Sequence, residues 1–322
     1  MKNIINSIVG AVAVVMSTFT WAAVYPDKAV TIVVPFPAGG TTDLLARHVG
    51  NALAKEWGQP VIVENRAGAS GTIGSGAVAR GKADGYTLLV TATHHIINPT
   101  LLKDTIAYDT KESFANVALL ATVPNVLVVN PNFEPKTVQE LIELAKKKPG
   151  EINFGSAGIG GANHLSGELF AHMADVDLTH IPYRGAAPSL QDLMAGQIPM
   201  MFDSAPGVLE HIKGGSLRAL GVTSTERIPQ LPDVPTIAEA GVPDFEALAI
   251  FGMYAPKNLP DEVLEKISND VTRVLASPEV AQKFIDLGAI PGTMTQQEFD
   301  QYVNQEIDKW SEVITNADIK LE

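Results

Sequence analysis

Short apolar strands alternate with glycine-rich loops and helices from residue 29 onward, and this alternation constrains the fold most strongly. The first unit is typical. Residues 29–34 are apolar and stop at Pro35, after which Leu45, Val49 and Leu53 recur with the period of a helix. Strands that alternate with helices form parallel sheets joined by right-handed crossovers. The pattern therefore predicts an α/β fold.

Two segments interrupt the alternation. Residues 117–129 form one long apolar run that contains Pro124, which predicts either two strands or one crossing strand. Residues 228–235 are rich in proline, which predicts a passage between two lobes.

Thr295 and Glu298 are spaced as the caps of a last helix, and we expect Pro188 to open an earlier one.

Four glycine-rich loops each stand between a predicted strand and a predicted helix: residues 34–43, 65–72, 155–164 and 183–188. Glycines let backbone N–H groups approach a ligand, and a helix start adds unpaired N–H groups with a positive dipole. Thr41 or Thr42 is the expected cap of the first helix. Ligands of open α/β sheets bind beyond the carboxyl ends of the strands. The four loops together predict an anion site, although ordinary turn chemistry explains any one of them alone.

Composition narrows the class of ligand. The net charge is −13, which argues against contact with nucleic acid or with an anionic membrane surface. Cysteine is absent, which excludes disulfides, thiol nucleophiles and cysteine-liganded zinc. No phosphate-loop signature, nucleophile elbow or His-Glu-x-x-His motif occurs, and residues 74–79 fit the dinucleotide pattern only loosely. We expect no catalytic residue, no metal and no cofactor.

The N-terminal segment reads as an export signal. Lys2 precedes an apolar run over residues 4–16, and the small residues Thr20 and Ala22 stand before a cut at Ala23. An uncleaved anchor is the alternative, but the run is shorter than the ~20 residues that a membrane span needs. We predict a cleaved signal peptide over residues 1–22 and a periplasmic protein.

Polar residues that follow predicted strands are further candidates for the site. His94 and His95 follow one strand, so one of the two is expected to point into a cleft. Asp203 and Ser204 follow another. Asp203 would accept a hydrogen bond from an amine or hydroxyl of a ligand, and a turn residue is the equally good alternative.

An ordered set of motifs extends over nearly the whole chain after the export signal. It comprises Tyr25-Pro26-Asp27-Lys28, residues 33–40 with Asp43, residues 65–69, residues 84–89, residues 155–158 with His164, residues 182–185, residues 217–220 and residues 231–236. In these motifs the chain resembles the Bug family, the TctC-like extracytoplasmic substrate-binding components of tripartite tricarboxylate transporters.

The resemblance implies a two-lobed periplasmic binding protein of the type II-like, Venus flytrap kind, with a ligand cleft between lobes. Each lobe would be a mainly parallel sheet flanked by helices. We expect residues 23–122 and 236–322 to form lobe 1, residues 123–235 to form lobe 2, and two strands to cross between them.

The resemblance also implies which residues bind a carboxylate, largely through backbone N–H groups. The expected ligand-binding residues are Phe36, Ala38, Gly39, Gly40, Asp43, Ser70, Gly71, Thr91, His94, Ser156, Ala157, Asn163, Arg184 and Asp203. The implied partners are a small organic carboxylate and the integral membrane subunits of a tripartite tricarboxylate transporter, and the implied state is a monomer.

The ligand and the role stay open at this point. Arg184 facing the glycine amides favours a dicarboxylate or tricarboxylate, Phe36 and Phe251 would suit an aromatic carboxylate, and Asp203 would suit an amino acid. A binding protein that reports to a membrane signalling partner is an alternative role. An exported hydrolase that uses Asp43, Asp203 or a histidine is a second alternative.

Overall fold

The computed structural model describes residues 25–103 and 105–316. The signal peptide predicted for residues 1–22 lies outside this range. Strands and helices alternate as the sequence predicts. Within the described residues, no helix combines the length and the apolar character required to cross a membrane.

The strands, in chain order, are β1 (Val30–Val34), β2 (Val61–Asn65), β3 (Thr87–Thr91), β4 (Phe114–Val129), β5 (Asn153–Ser156), β6 (Thr179–Pro182), β7 (Met200–Ser204), β8 (Arg218–Val222), β9 (Leu248–Pro256) and β10 (Ile290–Pro291). The α-helices are α1 (Thr41–Trp57), α2 (Thr72–Ala79), α3 (His94–Leu101), α4 (Thr110–Ser113), α5 (Val138–Lys147), α6 (Ala162–Ala174), α7 (Ala186–Met194), α8 (Ala205–Lys213), α9 (Asp261–Leu275), α10 (Pro278–Asp286) and α11 (Gln296–Asn316).

The strands form two sheets that share β4. In the first sheet the order is β2-β1-β3-β9-β4, with β10 beside β4. The pairs of β1 with β2 and β3 are parallel, whereas β9 is antiparallel to both β3 and β4. In the second sheet β5 is parallel to β6 and β7, and β4 is antiparallel to β7 and β8. The parallel part of each sheet is the part joined by helices, as the sequence predicts.

The long apolar segment is one strand that crosses between the sheets. Pro124 pairs with Leu248 of β9, whereas the next residue, Asn125, pairs with Ser204 of β7. Pro124 lacks the N–H that a regular ladder needs, which suits a position where the strand changes partners. The sequence left two strands and one crossing strand open, and the structure has the crossing strand.

The chain returns to the first sheet at β9 and not, as predicted, at the proline-rich segment. Ile228 and Leu231 of that segment are buried in the core beside the second sheet. Ile237 and Phe245, which follow it, are buried on the other face of the same sheet. These apolar side chains keep residues 228–247 with the second sheet, because leaving it would expose them to water.

Each sheet is covered by helices on both faces. In β1, Ile32 belongs to the apolar core on one face and Val33 to the core on the other. The last helix, α11, buries Phe299, Val303 and Trp310 against the first sheet. Its start is capped as predicted, because the Thr295 backbone N–H donates to Glu298 at 2.8 Å and the Glu298 N–H donates to Thr295 Oγ1 at 3.3 Å.

Two predicted helix starts are wrong. Pro188 is the third residue of α7, which begins at Ala186 after Gly185. The cap position of α1 is Gly40, and neither Thr41 nor Thr42 occupies it, because both already lie within the helix. The glycines before these helices allow the chain to enter each helix earlier than the side chains alone indicate.

Candidate functional site

Six helices begin just after the carboxyl ends of strands, three in each lobe. In the first lobe α1, α2 and α3 follow β1, β2 and β3, and in the second lobe α6, α7 and α8 follow β5, β6 and β7. The carboxyl ends of parallel strands lie at one edge of a sheet, so each lobe gathers its three loops and helix starts at one edge. These two edges face each other where the lobes meet.

The helix starts at these edges lack side-chain caps. At the cap positions of these six helices no side chain accepts a hydrogen bond from the backbone N–H groups of the first turn; the cap residues are Gly40, Gly71, Thr93, Gly161, Gly185 and Ser204. By contrast, Asp109, Thr137 and Ser277 accept backbone N–H groups at the starts of α4, α5 and α10. Uncapped first turns keep N–H donors and a positive dipole available for an anion.

The loop after β1 is held from below by the carboxylate of Asp43, which is 2% exposed. Asp43 Oδ2 accepts from the Gly39 N–H at 2.9 Å and from Arg47 Nε at 3.0 Å, and Oδ1 accepts from Asn65 Nδ2 at 3.0 Å. Burial alone would raise the pKa of Asp43, but these hydrogen bonds outweigh it and hold the pKa below its ordinary value. Both oxygens are thus engaged, while Ala38, Gly39 and Gly40 lie exposed above them.

The loop after β2 lies beside the first loop. Ser70 has a positive φ of 51°, and its carbonyl accepts from Asn98 Nδ2 of α3 at 3.1 Å. Gly71 packs so closely on Phe36 that a β-carbon there would lie 3.2 Å from the ring. The predicted residues Phe36, Ser70 and Gly71 are therefore neighbours, although α1 and β2 separate Phe36 from the other two in sequence.

The two adjacent histidines after β3 have different surroundings. The His94 ring lies 5.0 Å from the ring of Phe36, so His94 is the histidine that faces the other loops. His95 is buried between Phe114 and Tyr254, at 4.8 and 4.1 Å between ring centroids. Burial lowers the pKa of His94 to about 4 and that of His95 to about 3, so both rings are neutral at pH 7. Thr91 is 1% exposed and lies in β3 beneath this segment.

In the second lobe, Ser156 and Ala157 open the loop that leads to α6. The Ser156 hydroxyl lies 2.6 Å from His180 Nε2 and accepts from the Gly158 N–H at 3.1 Å. Ser156 itself is completely buried, whereas Ala157 is half-buried. The buried side chain of Ser156 therefore holds the loop in place, while Ala157 stays partly accessible to solvent.

Asp203 and Asn163 form a buried pair at the end of β7. Asn163 Nδ2 donates to Asp203 Oδ1 at 2.7 Å and to the Phe202 carbonyl at 3.0 Å. The Ser204 N–H also donates to Asp203 Oδ1, at 2.8 Å, but Asp203 Oδ2 is buried without a partner. Burial raises the pKa of Asp203 to about 6 despite these two hydrogen bonds. The carboxyl group thus titrates near neutral pH.

Arg184 is exposed and forms no ion pair with the described residues. It stands directly before Gly185, the cap position of α7. Its guanidinium therefore adds an unpaired positive charge to the second lobe's edge, where it is free to bind an anion as a two-pronged donor.

Three of the contacts between the two edges involve predicted site residues or their neighbours. Thr41 Oγ1 lies 3.2 Å from Ser204 Oγ. A β-carbon on Gly161 would lie 3.1 Å from the His94 ring, and one on Gly160 would lie 3.0 Å from Leu101 Cδ1. The starts of α1 and α3 in the first lobe therefore meet the starts of α8 and α6 in the second, which brings the predicted site residues of both lobes around one junction.

Sequence reasoning missed several residues that shape this junction. Arg47 and Asn65 hold Asp43, and His164 and His180 hold the loop after β5. Asn65 and His164 belong to the motifs that the sequence analysis quotes, so their presence there is the signal that could have found them. Conversely, Phe251 is buried in the core of the first lobe at 4% exposure and is not placed to frame a ligand.

The fold and the junction define a class. A two-lobed α/β protein that gathers loops and helix starts where its lobes meet is typical of solute-binding proteins.

Comparison with known proteins agrees with this class. The family model described as "Tripartite tricarboxylate transporter family receptor" matches residues 45–319. Rpa4515 of R. palustris with adipate is 37% identical, with a TM-score of 0.87, and the match covers 92% of this chain and 99% of that one. The periplasmic binding protein BugD is 35% identical, with a TM-score of 0.84 and coverage of 92% and 100%. MatC from Rhodopseudomonas palustris with bound malate is 34% identical, with a TM-score of 0.82 and coverage of 90% and 100%.

The chain belongs to the TctC family of tripartite tricarboxylate transporter receptors, which includes the Bug proteins. The family and these relatives are periplasmic solute-binding proteins rather than enzymes. The resemblance and the two-lobed α/β fold that the sequence analysis predicts are confirmed.

Proposed function

We propose that this protein captures a small organic carboxylate between its lobes and delivers it to the integral membrane subunits of a tripartite tricarboxylate transporter. The observation that carries the proposal is the set of uncapped helix starts that face one another from both lobes, with the unpaired Arg184 beside them. Two relatives support the class of ligand, since one is described with adipate and the other with malate.

The energetics of such a site are sufficient without any catalytic group. A hydrogen bond to a charged group contributes about 1.5–3 kcal/mol net. Micromolar affinity needs about 8 kcal/mol, so four or five backbone N–H donors suffice after the cost of closing the lobes. One ligand carboxylate would lie at the start of α1, against residues 36–40 with Ser70 and Gly71. A second would lie near Ser156, Ala157 and Arg184.

The remaining predicted residues take narrower roles in this proposal. His94 forms a wall with Thr91 beneath it, Asp43 positions the first loop, and Asn163 orients Asp203 toward a donor on the ligand. The export signal over residues 1–22 is cleaved and the mature monomer works in the periplasm. Lobe 1 comprises residues 23–122 with the chain from β9 onward, and the rest forms lobe 2; this moves the second boundary from residue 236 to the start of β9.

A thermal-shift screen of the mature chain tests the proposal. The panel contains adipate, malate, citrate, benzoate, nicotinate and aspartate, because a ligand that binds the native state raises the melting temperature by mass action. We expect a shift with at least one acid, and mass spectrometry should find that acid unchanged after hours of incubation. A flat response to the whole panel, with no acid released when the protein is denatured, contradicts the proposal. Chemical conversion of the acid would instead indicate the hydrolase.

Arg184→Ala tests the second carboxylate position. Loss of one charged hydrogen-bond partner should weaken a dicarboxylate about 10- to 100-fold and a monocarboxylate much less. Arg80→Ala is the matched control, because Arg80 is also exposed and stands at the far end of α2 from its loop. Equal losses for both kinds of acid would remove Arg184 from the site.

A further inference from the structure

Two imidazole rings stack behind the loop that opens the second lobe's edge. His164 of α6 and His180 of β6 lie 3.9 Å apart between ring centroids, with an angle of 26° between their planes. Phe154 of β5 covers the pair from a third element, 5.0 Å from the ring of His180. His164 is only 4% exposed.

Each ring holds one end of the loop over residues 156–161. His180 Nε2 lies 2.6 Å from Ser156 Oγ, and Ser156 Oγ in turn accepts from the Gly158 N–H at 3.1 Å. At the other end of the loop, the Gly160 N–H donates to His164 Nδ1 at 3.2 Å. The backbone of this loop is thus tied to the stacked pair at both ends.

The bond from Gly160 fixes the protonation state of His164. Because Nδ1 accepts a hydrogen bond, it carries no proton, and the neutral ring has its proton on Nε2. That nitrogen lies 3.4 Å from Glu168 Oε1, one helical turn further along α6. A second proton on Nδ1 would set two donors against each other and break the bond to Gly160.

The groups that face His164 determine which ring takes that proton. Glu168 of its own helix offers a negative charge, His180 of β6 is the other titratable group, and β5 contributes the uncharged Phe154 and Ser156. Burial, with a smaller contribution from the neighbouring His164, lowers the pKa of His180 to about 3. His180 therefore stays neutral over the physiological range, whereas His164 is the ring whose protonated form would face a carboxylate, since its Nε2 lies beside Glu168.

Gly160 connects the hydrogen bond to His164 with the junction between the lobes. It has a φ of 79° and packs against Leu101 of the first lobe, where a β-carbon would lie 3.0 Å from Leu101 Cδ1. The next residue, Gly161, is the cap position of α6 and lies against His94. A change in the Gly160 bond therefore moves the uncapped start of α6 and the contact between the lobes together.

We propose that His164 is a positioning residue for the ligand site and links ligand binding to protons. The neutral ring holds residues 156–161 in the binding shape, and its protonation releases the loop and weakens the ligand. This inference rests on the proposed function, because it takes this loop as one wall of the carboxylate site.

Calorimetry with adipate and malate between about pH 5.5 and 8 tests it with three variants. His164→Asn keeps an acceptor near the position of Nδ1 but cannot titrate, whereas His164→Ala removes the acceptor. His172→Asn is the matched control, since His172 is two turns further along the same helix and exposed. The ligand's own carboxyl groups and Asp203 titrate in the same way in all variants. The ratio of each variant's affinity to that of the wild type therefore reports the contribution of His164 alone.

We expect the wild type and His172→Asn to lose about fivefold in affinity toward the acidic end relative to His164→Asn, as the loss of one hydrogen bond implies. At pH 8 the affinity of His164→Asn should match that of the wild type, and His164→Ala should be weaker at every pH. A ratio of wild type to His164→Asn that stays constant over the whole range overturns the inference.

A readout without ligand separates this inference from the proposed function. In nuclear magnetic resonance spectra, the Gly160 amide proton should shift on acidification in the wild type and stay in place in His164→Asn, with thermal melts showing that both are folded. If neither acid binds the wild type at any pH, the carboxylate assignment for this pair of acids fails. The Gly160 titration then still decides, since an unshifted amide proton would overturn the role of His164.

Discussion

Asp203 is a buried carboxyl group with one oxygen that no described group satisfies. Such a group destabilises the unliganded protein, because desolvation of the charged form is only partly offset by the bonds from Asn163 and Ser204. Binding sites commonly contain polar groups that cost stability and gain a partner only with the ligand. Asp203→Asn should therefore stabilise the unliganded protein while weakening ligands that carry a hydroxyl or ammonium donor.

The sign of the pH dependence follows from the raised pKa of Asp203. The folded value is about 6 and the ordinary value 3.8, so the native state holds the proton more tightly than the unfolded state does. The stability that this proton provides is complete below about pH 4 and is lost as pH rises through 6. At pH 8 the free energy of unfolding of Asp203→Asn should exceed that of the wild type by up to about 3 kcal/mol, and the gain should vanish near pH 4.

Urea unfolding of the wild type and Asp203→Asn at several pH values measures this difference in the free energy of unfolding. Both proteins contain the same buried histidines, so their contributions cancel in the difference. Asp233→Asn serves as the control, because Asp233 is exposed and its loss should change stability by no more than ~0.5 kcal/mol at any pH. A gain for Asp203→Asn that is the same at pH 4 and pH 8 would show that charge burial is not its cause.

For single residues, the sequence predicts which side chains lie at the edge of a sheet better than it predicts which groups they contact. Asp203 and His94 are predictable because each stands at the end of an apolar strand, where a loop must reach the sheet edge. Their partners are not, since Asn163 is 40 positions from Asp203 and meets it only through the packing of α6 on β7. The same holds for Thr41 and Ser204, which are 163 positions apart.

Among the secondary-structure elements, helix starts with side-chain caps were the easiest to place. Thr295 with Glu298 marks the start of α11 as predicted, because the spacing of a capping box is visible in the sequence. Helix starts at glycines carry a weaker signal, and Pro99 interrupts the short apolar pattern of α3. The helices that matter most for the site are therefore the ones whose starts carry the weakest sequence information.

The start of α1 offers a direct test of this relation between caps and function. Gly40 has extended backbone angles, φ −78° and ψ 167°, and a β-carbon there would have Pro37 O as its nearest neighbour at 3.8 Å. Gly40→Ser therefore fits, and its hydroxyl should accept an N–H of the first turn. We expect the free energy of unfolding to rise by a few tenths of a kcal/mol and the affinity for the carboxylate to fall about tenfold, because one donor is taken.

Thr137→Ala is the complementary variant for this measurement. It removes the cap of α5, which begins away from the junction of the lobes, and should lower the free energy of unfolding by about 1 kcal/mol without changing affinity. Chemical denaturation and calorimetry on the two variants give both quantities. If Gly40→Ser gains stability and binds as tightly as the wild type, the ligand does not lie at the start of α1.

On the scale of the whole molecule, two strands connect the lobes and two hydroxyl groups meet across them. β4 and β9 run antiparallel through the crossing at Pro124 and Leu248, so the lobes can move only as these strands bend. Thr41 Oγ1 and Ser204 Oγ, 3.2 Å apart, stand on opposite sides of the junction. The sequence predicts the two lobes but not the position at which the chain crosses for the second time. Burial of Ile237 and Phe245 beside the second sheet determines that position, and proline content does not.

Because the chain has no cysteine, a double variant tests lobe closure without competing thiols. Thr41→Cys with Ser204→Cys should form a disulfide under mild oxidation. The two hydroxyl oxygens are already close together, so only a small shift of the side chains is needed to reach an S–S bond of about 2 Å. When oxidised with ligand bound, this protein should release the ligand at least about tenfold more slowly, and reduction should restore the original rate. Stopped-flow displacement measures the rates, and the two single variants control for the loss of each hydroxyl. Unchanged release from the oxidised double variant would mean that the ligand leaves without separation of Thr41 from Ser204, and the lobes would then not act as the gate.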